Sequence, residues 1–276
     1  MDEMNVFLES EEGKRAIESS QPKAPWERAQ DLAYDAWEAE GPERYALAEQ
    51  ALKADPRCSD AWLVLAELER SWRKQKRGFE RAVAAAEKTY EEEGWRDAAA
   101  EYGSLYHLLP ARSYLRALMA LARHLFDGGY PAEAQRLYGR MLDLDPEDHM
   151  GVRYELVRVY HRAGDREGLR DVLDRFPDDD GTTLAYERLW LAVAEGQDEV
   201  TVNGLQKQAI EANPHVISVF RDEDGEPDSE EEDSGLPSGY VTVGGKDEAV
   251  AYLAMAMHWW LDEPRTLEWV RQQRGE

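Results

Sequence analysis

The chain has 276 residues, 58 of them acidic and 33 basic, and a formal net charge of −25. This excess of negative charge argues against non-specific binding to nucleic acid or to an anionic membrane. The one cysteine, Cys58, permits neither an internal disulfide nor a multi-thiolate metal site, which fits a reducing cytoplasm.

No targeting or membrane segment is expected. The longest wholly apolar run, residues 249–257, is far shorter than the ~20 residues of a membrane span. The first ten residues, MDEMNVFLES, are acidic and lack the apolar stretch of a signal peptide. The sequence therefore predicts a cytoplasmic protein.

The N-terminal part of the chain predicts a tail followed by helical hairpins. Residues 1–24 contain a short possible helix at 7–17 and then the breaker-rich SSQPKAP. A first hairpin is predicted from Trp26, with its turn at Gly41-Pro42 and its end at Asp55-Pro56. A second begins at Trp62. The pattern is irregular over residues 71–110, where we expect lengthened helices or an additional one.

The clearest pattern covers residues 113–146. Leu118, Leu121 and Leu125 recur at i, i+3 and i+7 and give a helix one apolar face. Gly128-Gly129 ends that helix, and a second amphipathic helix follows and stops at Pro146. Neither helix can bury its apolar face alone, so the hairpin requires neighbours of the same kind.

Two more hairpins are predicted before the pattern changes. Pro146 and Pro214 lie 68 residues apart, which is twice a period of ~34 residues. The next segment, HVISVF, is interpreted as a short extended segment or a docking strand. Residues 221–238 carry nine acidic side chains between positions 222 and 233 and predict a mobile loop. Residues 239–276 predict two capping helices, one from Lys246 and a shorter one after Pro264.

The hairpin at 113–146 resembles a tetratricopeptide repeat, a helix–turn–helix unit of ~34 residues. The resemblance is carried by a small residue at the helix contact, a Gly before an aromatic residue, two positions of the second helix and the closing Asp-Pro: Ala122, Gly129, Tyr130, Ala134, Tyr138, Asp145 and Pro146. The predicted fold is an all-α, tetratricopeptide-like α-solenoid of about five helical hairpins, occupying residues 25–220, with a C-terminal helical cap.

The C-terminal part is also similar to the C-terminal region of the suppressor of tumorigenicity 7 family, of which this chain looks like a soluble, bacterial-type homologue. ALKADPRCSDAWLVLAE, at residues 51–67, extends the likeness upstream. The family implies a repeat-type helical fold, no established enzymatic chemistry, and a binding or regulatory role. Its animal members carry membrane-spanning segments that this chain lacks, so localisation does not carry over. The residues that carry the similarity are Asn213, Pro214, His215, Val216, Glu248, Ala249, Ala251, Tyr252, His258, Trp259 and Leu267.

Signatures of catalysis and of cofactor binding are missing from the sequence. It contains no G-x-G-x-x-G, G-x-x-x-x-G-K, H-E-x-x-H or G-x-S-x-G motif. The six histidines do not follow the spacing of metal ligands along the chain. No catalytic residue, metal site or cofactor is therefore predicted.

The resemblance to tetratricopeptide repeats implies a concave surface lined by the first helix of each hairpin. On that surface arginines would bind carboxylates or phosphates in a bidentate fork, and aromatic rings would hold apolar side chains. The alternative is that these arginines pair with the chain's own carboxylates. The residues predicted to bind a partner are Arg116, Arg123, Tyr154, Arg158, His161, Arg162, Tyr186 and Trp190.

These observations predict a protein-binding adaptor that holds a segment of a protein or peptide, possibly acidic, in a concave groove, and that is not an enzyme. The alternative is that the acidic surface binds a basic protein, as a nucleic-acid mimic or regulatory inhibitor. An enzyme with an unrecognised site is a third reading. The acidic loop at 222–233 could also compete for the basic groove as an autoinhibitory segment.

Overall fold

The computed structural model describes residues 23–221 and 242–275, and within these ranges the protein is helical without a strand. The chain divides into two compact units, Met1–Met150 and Gly151–Glu276. The predicted all-α class is confirmed. The N-terminal helix predicted at 7–17 and the acidic run at 222–233 lie outside the described residues.

In residues 23–150, the described part of the first unit, there are seven α-helices and two short 3-10 turns. The 3-10 turns, Leu105–His107 and Leu109–Ala111, precede the sixth helix. The helices are α1 (Pro25–Glu38), α2 (Gly41–Ala54), α3 (Ser59–Glu67), α4 (Trp72–Glu92), α5 (Trp95–Tyr102), α6 (Arg112–Asp127) and α7 (Pro131–Leu144).

Helices of the first unit pack as sequential pairs, α1 with α2, α3 with α4 and α6 with α7. In addition α1 packs against α3, and α3 packs against α6. Small side chains permit the close approach: Ala29, Ala33 and Ala36 on α1 are fully buried, as are Ala48 and Ala51 on α2. The core between these two helices is therefore built largely from alanine methyl groups.

The second unit also contains seven helices in the residues that the structure describes. Its core is built on α10, whose Leu184, Tyr186 and Leu189 have no exposed surface, and on the tryptophans of the last two helices. The helices are α8 (Val152–Ala163), α9 (Arg166–Arg175), α10 (Thr182–Glu195), α11 (Glu199–Ala212), α12 (His215–Arg221), α13 (Lys246–Asp262) and α14 (Pro264–Arg274).

Residues 71–110 contain both features that the sequence allows there, a long helix and an additional one. Helix α4 has 21 residues, and α5 follows it after a left-handed Gly94 with φ 68°. Only glycine reaches that conformation at low cost, so the chain turns sharply between α4 and α5. The two predicted C-terminal helices are confirmed as α13 and α14.

The interpretation of HVISVF as an extended segment is wrong, because these residues form α12. The side chain of Asn213 accepts a hydrogen bond from the backbone N–H of His215 at 3.0 Å and starts the helix. Val216 and Phe220, one turn apart, are then fully buried. The β-branched residues favour a strand locally, but this packing decides the outcome.

None of the helices in the described part of the chain is long and apolar enough to cross a lipid bilayer.

Candidate partner-binding site

The residues predicted to bind a partner are divided between the two units. Arg116 and Arg123 lie on α6 of the first unit, and the other six lie on α8 and α10 of the second.

Arg116 is engaged inside the first unit. Its Nε donates to Asp60 Oδ1 at 3.0 Å and its Nη2 donates to Asp60 Oδ2, forming a bidentate pair with a carboxylate that has no exposed surface. Gln30 Nε2 donates to the same Oδ2 at 2.5 Å. Burial alone would lower the pKa of Arg116, but the hydrogen bond and charge of Asp60 outweigh it and raise that pKa. Asp60 thereby joins α1, α3 and α6.

The remaining arginines differ in how far they reach the surface. Arg123, two turns after Arg116 on α6, is exposed, and so is Arg162 at the end of α8; both also interact within the chain. Arg158 Nη1 donates to Glu155 Oε2 at 2.9 Å, one turn earlier on α8. Intramolecular pairing, the alternative left open by the sequence, thus describes Arg116 and Arg158.

Tyr154 belongs to a polar cluster at the start of α8. Its hydroxyl donates to Asp179 Oδ2 at 2.9 Å and accepts from Arg153 Nη2 at 3.0 Å. Burial by itself would raise the pKa of Asp179, but the hydrogen bonds from Tyr154, Gly181 and Arg153 outweigh it and hold that pKa below its usual range. The cluster joins α8 to the loop after α9.

His161, Tyr186 and Trp190 lie in the core of the second unit. The Tyr186 hydroxyl donates to the carbonyl of Asn213 at 2.7 Å, and Trp190 Nε1 donates to the carbonyl of Trp259 at 3.1 Å. His161 Nε2 donates to Glu187 Oε2 at 2.5 Å, with both side chains almost fully buried. These three side chains contact the unit's own core.

The first unit contains an open cleft with a volume of about 420 Å³. Trp26, Gln30 and Tyr34 recur every four residues on α1 and form one wall. Helix α1 begins at Pro25, where Glu27 accepts a hydrogen bond from the N–H of Ala24 at 2.8 Å. The other walls come from the α2–α3 turn, the end of α4, the start of α5, and the second 3-10 turn together with the start of α6 that follows it: Asp55, Arg57, Cys58, Ser59, Ala86, Thr89, Glu93, Trp95, Leu109, Pro110 and Ser113.

Apolar surface surrounds the mouth of this cleft. Trp26 is 49% exposed, Tyr34 45% and Leu109 67%, and all three line it. Large apolar side chains that stay exposed and converge on one cleft are typical of a binding surface. The sequence did not indicate this site, because its walls come from five separate segments of the chain.

The polar part of the cleft is an ion-pair group around Arg57. Its guanidinium donates to Asp55 Oδ1 and to Glu92 Oε2, each at 3.2 Å, and lies 3.6 Å from Glu93 Oε1. Carboxylates therefore outnumber the guanidinium in this group. The neighbouring Cys58 donates its thiol to the carbonyl of Ala29, and burial raises the pKa of that thiol to about 12. A thiol with so high a pKa is a poor nucleophile at neutral pH.

Comparison of the chain with models of known protein families and with curated proteins gave no match.

Proposed function

We propose that the protein is a protein-binding adaptor whose first unit anchors an apolar side chain of a partner in the cleft between α1, α5 and the second 3-10 turn. The observation that carries this proposal is the convergence of exposed Trp26, Tyr34 and Leu109 on one open cavity. Buried aromatic anchors supply much of the affinity at protein interfaces, so such a cleft suits a peptide segment.

Helix packing supports a repeat arrangement of the tetratricopeptide kind in the first unit. Three sequential helix pairs are present, and their first helices α1, α3 and α6 contact one another in order. In such an arrangement the first helices form a continuous surface along which an extended or helical segment can lie. The resemblance of residues 113–146 to that repeat also supports this arrangement.

The volume of the cleft would also suit a small ligand, since small-molecule sites occupy roughly 300–1,000 Å³. A peptide is favoured because the apolar surface continues outside the cavity on half-exposed rings. A small ligand needs enclosure, whereas a peptide anchor needs a pocket together with an accessible rim.

A basic partner is the second candidate, and the ion pairs of two predicted binding arginines favour it. Arg116 and Arg158 face Asp60 and Glu155 of the same chain, so their charges are balanced internally. The cleft itself carries an excess of carboxylates around Arg57. A segment rich in Lys or Arg, attracted by the net charge of −25, would match these features better than an acidic one.

Selection from a random peptide library displayed on phage tests the proposal. The wild-type protein should enrich peptides with a large apolar anchor, and the double variant Trp26→Ser/Leu109→Ser should lose this enrichment. The double variant Tyr45→Ser/Leu68→Ser is the matched control, because it changes an exposed aromatic residue and an exposed leucine of the same unit that do not line the cleft. Equal enrichment by both variants would contradict an anchor in the cleft.

The charge of the selected peptides separates the two candidates. Enriched Lys and Arg, with binding that weakens steeply as salt is added, would identify a basic partner. Acidic peptides whose binding is lost in Arg123→Glu would instead support the arginine-lined groove. Failure of the wild-type protein to enrich any peptide would reject the adaptor function.

A further inference from the structure

A second group of side chains in the first unit meets the requirements of a metal site. His107 ends the first 3-10 turn, and Glu147 and His149 lie in the turn after α7. One ring nitrogen of each histidine and one carboxylate oxygen all lie within 4.8 Å of one another, and all three residues are exposed. Two imidazoles and one carboxylate form a ligand set that Zn²⁺ takes in proteins.

The buried carboxylate of Asp145 orients His149. Asp145 Oδ1 accepts from His149 Nδ1 at 2.7 Å, and Oδ2 accepts from the backbone N–H of His149 at 2.7 Å. Ser104 also donates its hydroxyl to Oδ1 at 2.6 Å. Asp145 is only 2% exposed, so this arrangement is fixed by the interior of the unit.

This arrangement leaves the other ring nitrogen of His149 directed at the cluster. His149 Nε2 lies 3.3 Å from Glu147 Oε2. Histidines that bind metals usually donate their second N–H to a carboxylate or carbonyl, which fixes the tautomer and strengthens the ligand. Asp145 is the carboxylate that accepts this second N–H from His149.

Aromatic packing further restrains the imidazole ring. Tyr106 stacks on His149 with a centroid distance of 4.5 Å and an interplanar angle of 2°. Tyr106 is held in turn by Arg112, whose guanidinium lies 4.0 Å from the ring centroid and whose Nε donates to the Tyr106 carbonyl. The edge of His107 approaches the same imidazole, with centroids 5.1 Å apart.

We propose that His107, Glu147 and His149 bind one divalent transition-metal ion, with Zn²⁺ as the best fit, and that Asp145 is the positioning residue. Ligand atoms around Zn²⁺ lie about 3.3 Å apart when the metal–ligand distances are ~2.0–2.1 Å. Small rotations of the exposed His107 and Glu147 side chains achieve this contraction. Three protein ligands leave a fourth position open to water or to a donor from a partner.

The sequence does not reveal this site, because its ligands do not follow a metal-ligand spacing along the chain. His107 and His149 are separated by the whole of α6 and α7, and the packing of those two helices brings them together. The ion would thus link the segment before α6 to the turn after α7.

Calorimetric titration of the full chain with Zn²⁺, after dialysis against a chelator, tests the proposal. Excess Mg²⁺ in the buffer occupies the many surface carboxylates. We expect one tight Zn²⁺ equivalent per chain, and at least about tenfold weaker binding in His149→Ala and in Glu147→Gln. Glu147 is 70% exposed, so its variant keeps the fold. His258→Ala, an exposed histidine of α13, is the matched control and should bind as the wild type does.

Asp145→Asn separates the positioning role from a purely structural one. With Co²⁺ in place of Zn²⁺, this variant should bind about 10–100-fold more weakly and should shift the visible absorption of the bound ion. An unchanged spectrum and affinity would remove Asp145 from the site. The proposal as a whole is overturned if the wild type binds no Zn²⁺ in the presence of Mg²⁺, or if Glu147→Gln and His149→Ala bind it as tightly as the wild type.

Discussion

At the scale of single residues, the carboxylate of Glu187 organises the core of the second unit. It has no exposed surface and accepts hydrogen bonds from three other side chains. Tyr252 donates to Oε1 at 2.9 Å, Trp259 Nε1 to Oε1 at 3.2 Å, and His161 Nε2 to Oε2 at 2.5 Å. Burial, together with the nearby charge of Glu187, raises the pKa of Tyr252 well above its usual range, so its hydroxyl stays protonated and donates.

Removing this carboxylate should destabilise the second unit strongly. Glu187→Ala leaves three buried donors without an acceptor, and we expect the free energy of unfolding to fall by about 3–5 kcal/mol. Glu187→Gln keeps one acceptor oxygen and should lose less. Urea unfolding followed by tryptophan fluorescence measures both, because Trp259 touches the substituted side chain.

The control is Glu211→Ala on α11, whose side chain is 65% exposed and pairs with Lys207 across the helix surface. An exposed pair of this kind contributes little, so its removal should change the free energy of unfolding by less than about 0.5 kcal/mol. Equal effects of Glu187→Ala and Glu211→Ala would show that the buried hydrogen bonds of Glu187 contribute no stability.

Single residues also show where a sequence stops being informative. The sequence identified Arg116 as a cation on a helix face, but Asp60, its partner, lies 56 residues away and only packing brings the two together. His161, Tyr186 and Trp190 have the side chains of a binding surface, and their burial depends on helices far along the chain. Residue type indicates which groups a side chain can bind. Tertiary structure decides whether the bound group belongs to the same chain or to another molecule.

At the scale of helices, Gly78 lies at a close contact between α3 and α4. A Cβ atom at this position would lie 2.6 Å from the Cβ of Ala66 and 3.0 Å from its Cα. Gly139, on α7, has no atom within 4 Å of such a Cβ. Both glycines lie inside helices, where glycine is less favourable than alanine by about 0.5–1 kcal/mol. The two sites therefore separate helix propensity from packing.

Substitution of each glycine by alanine should change stability in opposite directions. Gly139→Ala should stabilise the protein by about 0.5–1 kcal/mol. The free energy of unfolding of Gly78→Ala should be lower than that of Gly139→Ala by about 1–3 kcal/mol, because the added methyl group forces α3 and α4 apart. Urea unfolding of the two variants beside the wild type measures the difference. A gain of equal size in both would show that the α3–α4 contact has room for a methyl group.

Helices were the part of the structure that the sequence predicted best. The apolar periodicity of residues 113–146, with Gly128-Gly129 and Pro146 as boundaries, corresponds to α6 and α7. Proline and glycine act locally, so their effect can be read without tertiary information. The β-branched residues of HVISVF are compatible with a strand or a helix, so local sequence alone does not predict α12. The cleft cannot be predicted for another reason, since no local rule joins Trp26 to Leu109.

At the scale of the whole molecule, the net charge of −25 acts against compactness. Individual ion pairs such as Lys76–Glu80 and Lys207–Glu211 lie on the surface and contribute little each. The carboxylates in excess of such pairs repel one another over distances comparable to the Debye length, which is about 10 Å at 0.1 M salt. Long-range repulsion should therefore outweigh short-range attraction at low ionic strength.

Monovalent salt should consequently stabilise the protein. Between about 10 mM and 200 mM NaCl at constant neutral pH, we expect the thermal unfolding midpoint to rise by roughly 2–4 °C, which corresponds to about 1 kcal/mol for a chain of this size. Circular dichroism at the helix band measures this midpoint. A sample with sucrose in place of NaCl, at equal osmolality, controls for the stabilisation that excluded solutes cause. A variant with the nine acidic residues of 222–233 changed to Asn or Gln should respond less, because its net charge is smaller. A midpoint that falls as NaCl is added would show instead that attractive ion pairs prevail over the repulsion among the surplus carboxylates.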